Sequence, residues 1–212
     1  MATKKSGSAV IQPGFATAVA HLRERDAVLG SLIDRVGPYP LRPNRGLFEI
    51  MLRTIVSQQL STRVADTIYG RLADAMGPGR PRPEQLLLLS DATLRACGLS
   101  RAKAAYVRNV ATAFRDAGHT RRSFSSLDDQ SVIESLTVIK GVGEWSAHMF
   151  LIFALERPDV FPIGDLGLRK AMMQAYKLRS NTKPERLHRI ADAWRPYRST
   201  GTLYMWRSLD AS

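Results

Sequence analysis

Cysteine and metal-binding patterns are nearly absent from this chain of 212 residues. The single cysteine, Cys97, excludes an internal disulfide and a four-cysteine iron–sulfur cluster, and its apolar surroundings indicate a core thiol rather than a nucleophile. Four histidines occur without the spacing typical of metal ligands: His21, His119, His148 and His188. We therefore expect chemistry that needs no transition metal.

Long apolar runs and acidic residues are also scarce. No run approaches the roughly 18 residues of a membrane span, and the N-terminal segment lacks the apolar core of a signal peptide. We expect a cytoplasmic monomer without membrane association. Lysine and arginine outnumber aspartate and glutamate by 31 to 19, a net charge of +12. This excess favours nucleic acid or an anionic membrane surface, although a merely solvated basic surface explains it equally well.

Apolar residues recur at helical spacing along most of the chain. Helices are predicted over residues 15–22, 26–36, 46–56, 62–76, 84–89, 91–97, 101–117, 129–139, 144–155, 165–176, 183–197 and 202–208. Alternating patterns typical of strands are few, and no repeat of solenoid length occurs. The sequence therefore predicts an all-α bundle of about ten helices, preceded by a disordered basic tail over residues 1–9.

The turn between two of these helices carries two glycines, Gly141 and Gly143. Both allow positive φ and the close approach of another backbone. A helix begins directly afterwards, so its first N–H groups, aided by the helix dipole, could bind an anion such as phosphate. An ordinary tight connection between helices explains the same pattern.

Asp165 follows Pro162 and Gly164, a position that favours the N-cap of the next helix. A capping role accounts for this residue by itself. A cap aspartate projects outward, to where a ligand can reach it.

Six segments, taken in order, carry a family resemblance. They are residues 55–61 (IVSQQLS), 98–103 (GLSRAK), 136–147 (LTVIKGVGEWSA), 161–170 (FPIGDLGLRK), 194–199 (WRPYRS) and 204–207 (YMWR). Together they resemble the DNA-3-methyladenine glycosylase II group of the helix-hairpin-helix DNA glycosylase superfamily, across roughly residues 45–208. The chain is too short for the N-terminal α/β domain of longer members, so it resembles the compact form.

The resemblance implies a monofunctional DNA glycosylase of base excision repair. Such an enzyme flips an alkylated purine, such as 3-methyladenine, out of double-stranded DNA and hydrolyses its N-glycosidic bond. Asp165 takes the catalytic position, where a carboxylate would stabilise an oxocarbenium-like sugar or orient water. The resemblance implies base contacts at Trp145, Met149 and Trp206. The two tryptophans could instead be core residues.

The resemblance also assigns DNA contacts. Gln59, at the polar break between two helices, is the candidate wedge that fills the gap left by the flipped base, or else a helix-capping glutamine. Gln58 braces the same loop. The remaining candidates, each of which could instead be a cap or a solvated charge, are Ser61, Ser100, Arg101, Lys103, Lys140, Gly141, Gly143 and Ser146.

Two chemical details complete the expectation. Strand-cleaving members carry a Schiff-base lysine two residues after the second hairpin glycine, and Trp145 stands there in this chain, so we expect no AP-lyase activity. The backbone carbonyls of Thr137, Ile139 and Gly141 correspond to positions that bind Na⁺ or K⁺ in the family. No other cofactor is implied.

The expected architecture is a two-lobed helical bundle with an active-site cleft between its lobes. Residues 10–212 form one glycosylase domain, with lobe one over about 42–155 and lobe two over 10–41 plus 156–212. Two other functions stay open: a glycosylase of this fold for other damaged bases, and a non-catalytic helix-hairpin-helix module that only binds DNA. Asp165 argues against the second, because a carboxylate beside bound phosphates would repel them.

Overall fold

The computed structural model describes residues 14–39 and 46–210, and the predicted tail over residues 1–9 lies outside them. The described residues form helices and no strand, which confirms the all-α prediction. The helices are α1 (Phe15–Arg25), α2 (Ala27–Val36), α3 (Leu47–Ser57), α4 (Thr62–Met76), α5 (Pro83–Leu87), α6 (Asp91–Ala96), α7 (Arg101–Ala117), α8 (Arg121–Ser125), α9 (Asp129–Thr137), α10 (Glu144–Phe153), α11 (Leu166–Ala175), α12 (Pro184–Asp192) and α13 (Arg198–Asp210).

The helices belong to two compact units of the chain. The central unit spans Arg45–Glu156 and holds α3 to α10. The terminal unit consists of Met1–Asn44 and Arg157–Ser212, and it holds α1, α2 and α11 to α13. Each unit has its own buried apolar side chains, as a cooperative folding unit requires.

Helix α3 is the centre of the central unit. Its sequence is apolar on almost every side, with buried residues at Ile50, Met51, Leu52, Ile55 and Val56. A helix that is apolar all round must be covered all round. Helices α4, α7 and α10 all pack against α3, and this arrangement places the C-terminal end of α3 near the first turn of α7.

The terminal unit is organised around Asp26, which caps α2. Its Oδ1 accepts hydrogen bonds from the backbone N–H groups of Val28 and Leu29. Its Oδ2 accepts from the Tyr176 hydroxyl at 2.6 Å and from the Trp194 indole N–H at 2.8 Å. Burial, and then the hydrogen bond to Asp26, raise the pKa of Tyr176 well above its ordinary value. One carboxylate therefore joins the start of α2 to the ends of α11 and α12.

The sequence prediction lacks the short helix α8, and its largest boundary errors are at α12 and α13. The helix predicted over 183–197 ends at Asp192, and the next one, predicted from residue 202, already begins at Arg198. Pro196 lies between them and supplies no backbone N–H for a continuous helix. The earlier start of α13 lets Ser199 and Arg198 contact the loop that leads to Asp165.

Replacing Asp26 by alanine should destabilise the protein by about 3 kcal/mol, because it removes a helix cap and the shared acceptor of two buried donors. Urea unfolding measures this change. The matched control is Asp34→Ala on the same helix, since Asp34 makes only an exposed ion pair with Arg23 and should contribute less than about 1 kcal/mol. Equal losses in the two variants would contradict the organising role of Asp26.

Candidate functional site

The turn between α9 and α10 is shaped by Gly141. Its φ is 104°, in the left-handed region. A Cβ atom built there would lie 2.3 Å from the Tyr106 ring on α7, a distance that no side chain can accept. Both the backbone conformation and the neighbouring ring therefore require glycine at this position.

Gly143 has a different part in the same turn. Its φ is −101°, so it does not use the left-handed conformation that the sequence analysis allowed for both glycines. It is the N-cap of α10, it offers no side-chain cap, and no heavy atom lies within 4 Å of a Cβ built there. The first hydrogen bond of α10 runs from Ala147 N–H to Gly143 O. The helix supplies no acceptors for the amides before Ala147, and the absent side chain leaves room for an anion to approach them.

Gln58 ties this turn to the end of α3. Its Nε2 donates to the backbone oxygen of Gly141 and to Oγ of Ser146, each at 3.1 Å. The side chain of Ser146 is only 1% exposed. The side chains of Gln58 and Ser146 therefore hydrogen-bond within the protein, as a bracing role for Gln58 would require. Ser146 could meet an anion only through its backbone N–H.

Lys103 supports the same loop from α7. Its ammonium group donates to the backbone oxygens of Val56 at 2.6 Å and Gln58 at 2.7 Å. A cation at this point satisfies carbonyl groups at the C-terminal end of α3, where the helix dipole is negative. Burial lowers the pKa of Lys103. Two of its three N–H donors therefore bond backbone oxygens of the protein, whereas the family resemblance implies that Lys103 contacts phosphate.

The remaining candidates on the central unit are more accessible. Gln59 is exposed and has a φ of 57°, which is uncommon outside glycine. Arg101 and Lys140 are exposed, and Ser61 is an exposed N-cap of α4 whose side chain makes no capping bond. Ser100 caps α7 by accepting from Lys103 N–H. These exposed basic and polar side chains belong to the same unit as the turn.

Two of the three predicted base contacts lie on α10. Trp145 is partly exposed. Met149 is 6% exposed and counts among the core residues of the chain. Helix α10 packs against α3 and α9, so most of its apolar residues belong to the core of the central unit.

Asp165 caps α11 in the terminal unit, as its sequence position predicts. Its Oδ1 accepts from the backbone N–H of Leu168 and, at 2.8 Å, from the indole N–H of Trp206 on α13. The preceding turn is closed by a hydrogen bond of 2.8 Å from Asp165 N–H to Pro162 O. The carboxylate is thus held by one donor of its own helix and one donor of another.

The loop before Asp165 is fastened to the start of α13. Arg198 Nε donates to Oδ1 of Asp159 at 2.7 Å, and Arg198 Nη2 donates to the backbone oxygen of Asp159 at 2.7 Å. Ser199 Oγ accepts from Val160 N–H at 3.0 Å and donates to Arg157 O at 2.6 Å. Helix α13 therefore fixes both the loop and, through Trp206, the carboxylate that follows it.

Two classes of feature are absent from the part of the chain that the structure describes. No group of three or more histidine, cysteine, aspartate or glutamate side chains there could hold a metal ion. None of the helices described is both long and apolar enough to cross a membrane.

Residues 52–196 match the HhH-GPD superfamily of base excision DNA repair proteins. The chain belongs to this superfamily. DNA-3-methyladenine glycosylase 1 of Schizosaccharomyces pombe is 31% identical over 195 residues, which cover 89% of this chain and 85% of that protein.

Solved structures agree with this assignment to the HhH-GPD superfamily. The S. pombe 3-methyladenine DNA glycosylase Mag1, solved in complex with abasic DNA, matches with a TM-score of 0.83 and 30% identity over 92% of this chain and 97% of that one. The DNA-3-methyladenine glycosidase of Bacillus halodurans matches with a TM-score of 0.74 and 32% identity over 93% and 89% of the two chains.

Sequence reasoning missed two residues that shape the HhH-GPD hairpin. Tyr106 packs against Gly141, and Asn109 Nδ2 donates to the backbone oxygen of Lys140 at 3.0 Å. Both follow Lys103 on α7 at successive intervals of three residues, a spacing that places side chains on neighbouring parts of one helix face. This spacing could have indicated that Tyr106 and Asn109 lie on the same side of α7 as Lys103.

Gly141→Ala should destabilise the protein by about 2 kcal/mol or more, because alanine would adopt a strained φ and collide with Tyr106. Gly143→Ala is the matched control in the same turn. Its surroundings are open, so it should cost no more than the roughly 1 kcal/mol of a less favourable N-cap residue. Urea unfolding of both variants measures the difference. A stable Gly141→Ala protein would contradict the contact with Tyr106.

Proposed function

We propose that this protein is a monofunctional DNA glycosylase of base excision repair. It flips an alkylated purine such as 3-methyladenine out of double-stranded DNA and hydrolyses the N-glycosidic bond, leaving an abasic site. The observation that carries the proposal is the carboxylate of Asp165, bonded at the start of α11 by Leu168 N–H and Trp206 Nε1. Relatives named as 3-methyladenine glycosylases, at about 30% identity over most of the chain, support it.

Asp165 supplies the chemistry that this reaction needs. Breaking the bond between C1′ and the base nitrogen builds positive charge on the sugar, and a fixed carboxylate stabilises that charge or orients the attacking water. An alkylated purine is already cationic and departs without a strong general acid. Trp145, Met149 and Trp206 are the proposed base contacts, and an aromatic face would favour a cationic base by about 0.5–2 kcal/mol.

The hairpin and its neighbours hold the DNA backbone in this proposal. The amides at the start of α10, opened by Gly143, bind phosphate together with Lys140, Arg101 and Ser61. Gln59 is the wedge that replaces the flipped base in the stack. Its positive φ supports this role, since sparsely populated backbone conformations occur where a side chain must point in a set direction.

A monovalent cation at the hairpin fits the backbone that is present. Thr137 ends α9, and Ile139 and Gly141 follow it, so their carbonyls lie where the helix dipole favours a cation. Ile139 O accepts one hydrogen bond from Val142 N–H and Gly141 O accepts one from Gln58, so each carbonyl keeps a second lone pair for Na⁺ or K⁺. The ion would add positive charge beside a bound phosphate.

Water is the proposed nucleophile, because Trp145 stands where an AP-lyase would carry its amine. The product should therefore be an unbroken strand that contains an abasic site. Cleavage of that strand should appear only after treatment with alkali. Trapping of a covalent enzyme–DNA adduct by borohydride would contradict this part of the proposal.

The decisive assay incubates the protein with methylated duplex DNA and separates the released bases. Asp165→Asn should lower base release by at least about 10³-fold, because the neutral amide keeps the cap but loses the charge that stabilises the sugar cation. Its affinity for an abasic duplex should stay within about twofold. Full activity of this variant would refute the assigned role. Binding without release by the wild-type protein would indicate a DNA-binding module, and release of only other damaged bases would redirect the substrate class.

Gly143→Asp should weaken binding to every duplex, damaged or not, by about tenfold or more, because it sets a negative side chain against the phosphate. Fluorescence anisotropy with a labelled undamaged duplex measures this loss. Gly70→Asp is the matched control, since it adds the same charge inside α4 at a glycine with no positive φ and open surroundings, about 13 Å along the helix from Ser61. Unchanged affinity of the Gly143 variant would count against the hairpin as the phosphate site.

A further inference from the structure

Trp206 contacts the carboxylate of Asp165 through its edge rather than its face. The indole Nε1 donates to Oδ1 of Asp165 at 2.8 Å, and the same oxygen accepts the capping bond from Leu168. The two donors come from α13 and α11, and both bond the same oxygen. A carboxylate bound in this way cannot rotate without breaking a charge-assisted hydrogen bond.

Gly167 keeps the space for this contact. A Cβ built at Gly167 would lie 3.1 Å from Asp165 Oδ1, and 3.6 Å and 3.7 Å from Cδ1 and Nε1 of Trp206. Gly167 lies inside α11 and its backbone has no positive φ. Helix geometry therefore permits any residue here. A side chain would meet the indole at ordinary contact distance, but it would press on Oδ1 of Asp165 and shift it by a few tenths of an ångström.

The chain contains the same bond a second time. Trp194 Nε1 donates at 2.8 Å to Asp26, which also caps a helix. Trp194 is fully buried, whereas Asp165 and Trp206 are both partly exposed. The bond at Asp26 is therefore part of the core of the terminal unit. The bond between Trp206 and Asp165 is the same kind of indole–carboxylate hydrogen bond, placed where a ligand can reach it.

We propose that Trp206 is a positioning residue for Asp165, and that Gly167 maintains the space in which the two side chains meet. This inference rests on the proposed glycosylase function. Displacement of a reacting group by about 1 Å can lower a rate about 100-fold, so the direction in which the carboxylate is held matters for bond cleavage.

Trp206→Phe removes the N–H donor and keeps an aromatic ring. The single-turnover rate of base release should fall about tenfold or more, the effect of losing one hydrogen bond to a charged group, while affinity for an abasic duplex stays within about twofold. Trp194→Phe is the matched control, and it should lower the melting temperature without changing the rate of the folded protein. A wild-type rate for Trp206→Phe, or a parallel loss of DNA affinity, would overturn the proposal.

Gly167→Ala separates positioning from stability. Alanine is the better helix former, so the melting temperature should be maintained or rise, while the added methyl group displaces the carboxylate and lowers the rate about tenfold. Gly70→Ala in α4 makes the same change where nothing lies within 4 Å of the new atom, and it should leave the rate unchanged. If Gly167→Ala retains the full rate, Gly167 has no part in positioning Asp165.

A spectroscopic test tells a failure of this inference from a failure of the proposed function. The chain has three tryptophans, so a ¹⁵N-labelled sample gives three indole N–H signals, and Trp206→Phe identifies its own. Asp165→Ala should move the Trp206 signal and speed its exchange with solvent. An unmoved signal refutes the bond whatever the activity. If the signal moves but the wild-type protein releases no base, the hydrogen bond from Trp206 to Asp165 is supported and the glycosylase function is refuted.

Discussion

A carboxylate bonded at the start of a helix is the interaction on which the proposed chemistry of the terminal unit depends. Asp165 receives one bond from its own helix and one from α13. Helix α13 also holds the preceding loop through the bonds of Arg198 and Ser199. The direction of one side chain is therefore set by a whole helix rather than by the loop that carries it, and the proposed catalytic role of Asp165 needs such support.

The hairpin follows a related principle in the central unit. Its inner side is fixed by Tyr106, Gln58 and Asn109, which contact or hydrogen-bond the turn. Its outer side is left bare by Gly143. The two glycines therefore have different parts: Gly141 leaves space for the ring of Tyr106, and Gly143 leaves open the amides to which the proposed phosphate would bind.

Much of this could be read from the sequence, because the signals are local. Helical periodicity located most helices, the aspartate after Pro162 and Gly164 predicted a cap, and the motif order indicated the superfamily that residues 52–196 match. The ends of helices were less predictable. The separation of α12 from α13 depends on contacts of Arg198 and Ser199 with a loop some 40 residues earlier, for which short-range periodicity carries no signal.

The sequence by itself determined that the chain is helical, that a glycine turn joins two helices, and that Asp165 begins another, because each follows from residues within a few positions of one another. Only the tertiary structure decided which partners those groups have. It assigned Lys103 to the end of α3, Ser146 to Gln58, and Trp206 to Asp165. Hydrogen bonds between residues 40 to 90 positions apart form only when packing brings their helices together, and no local pattern specifies that.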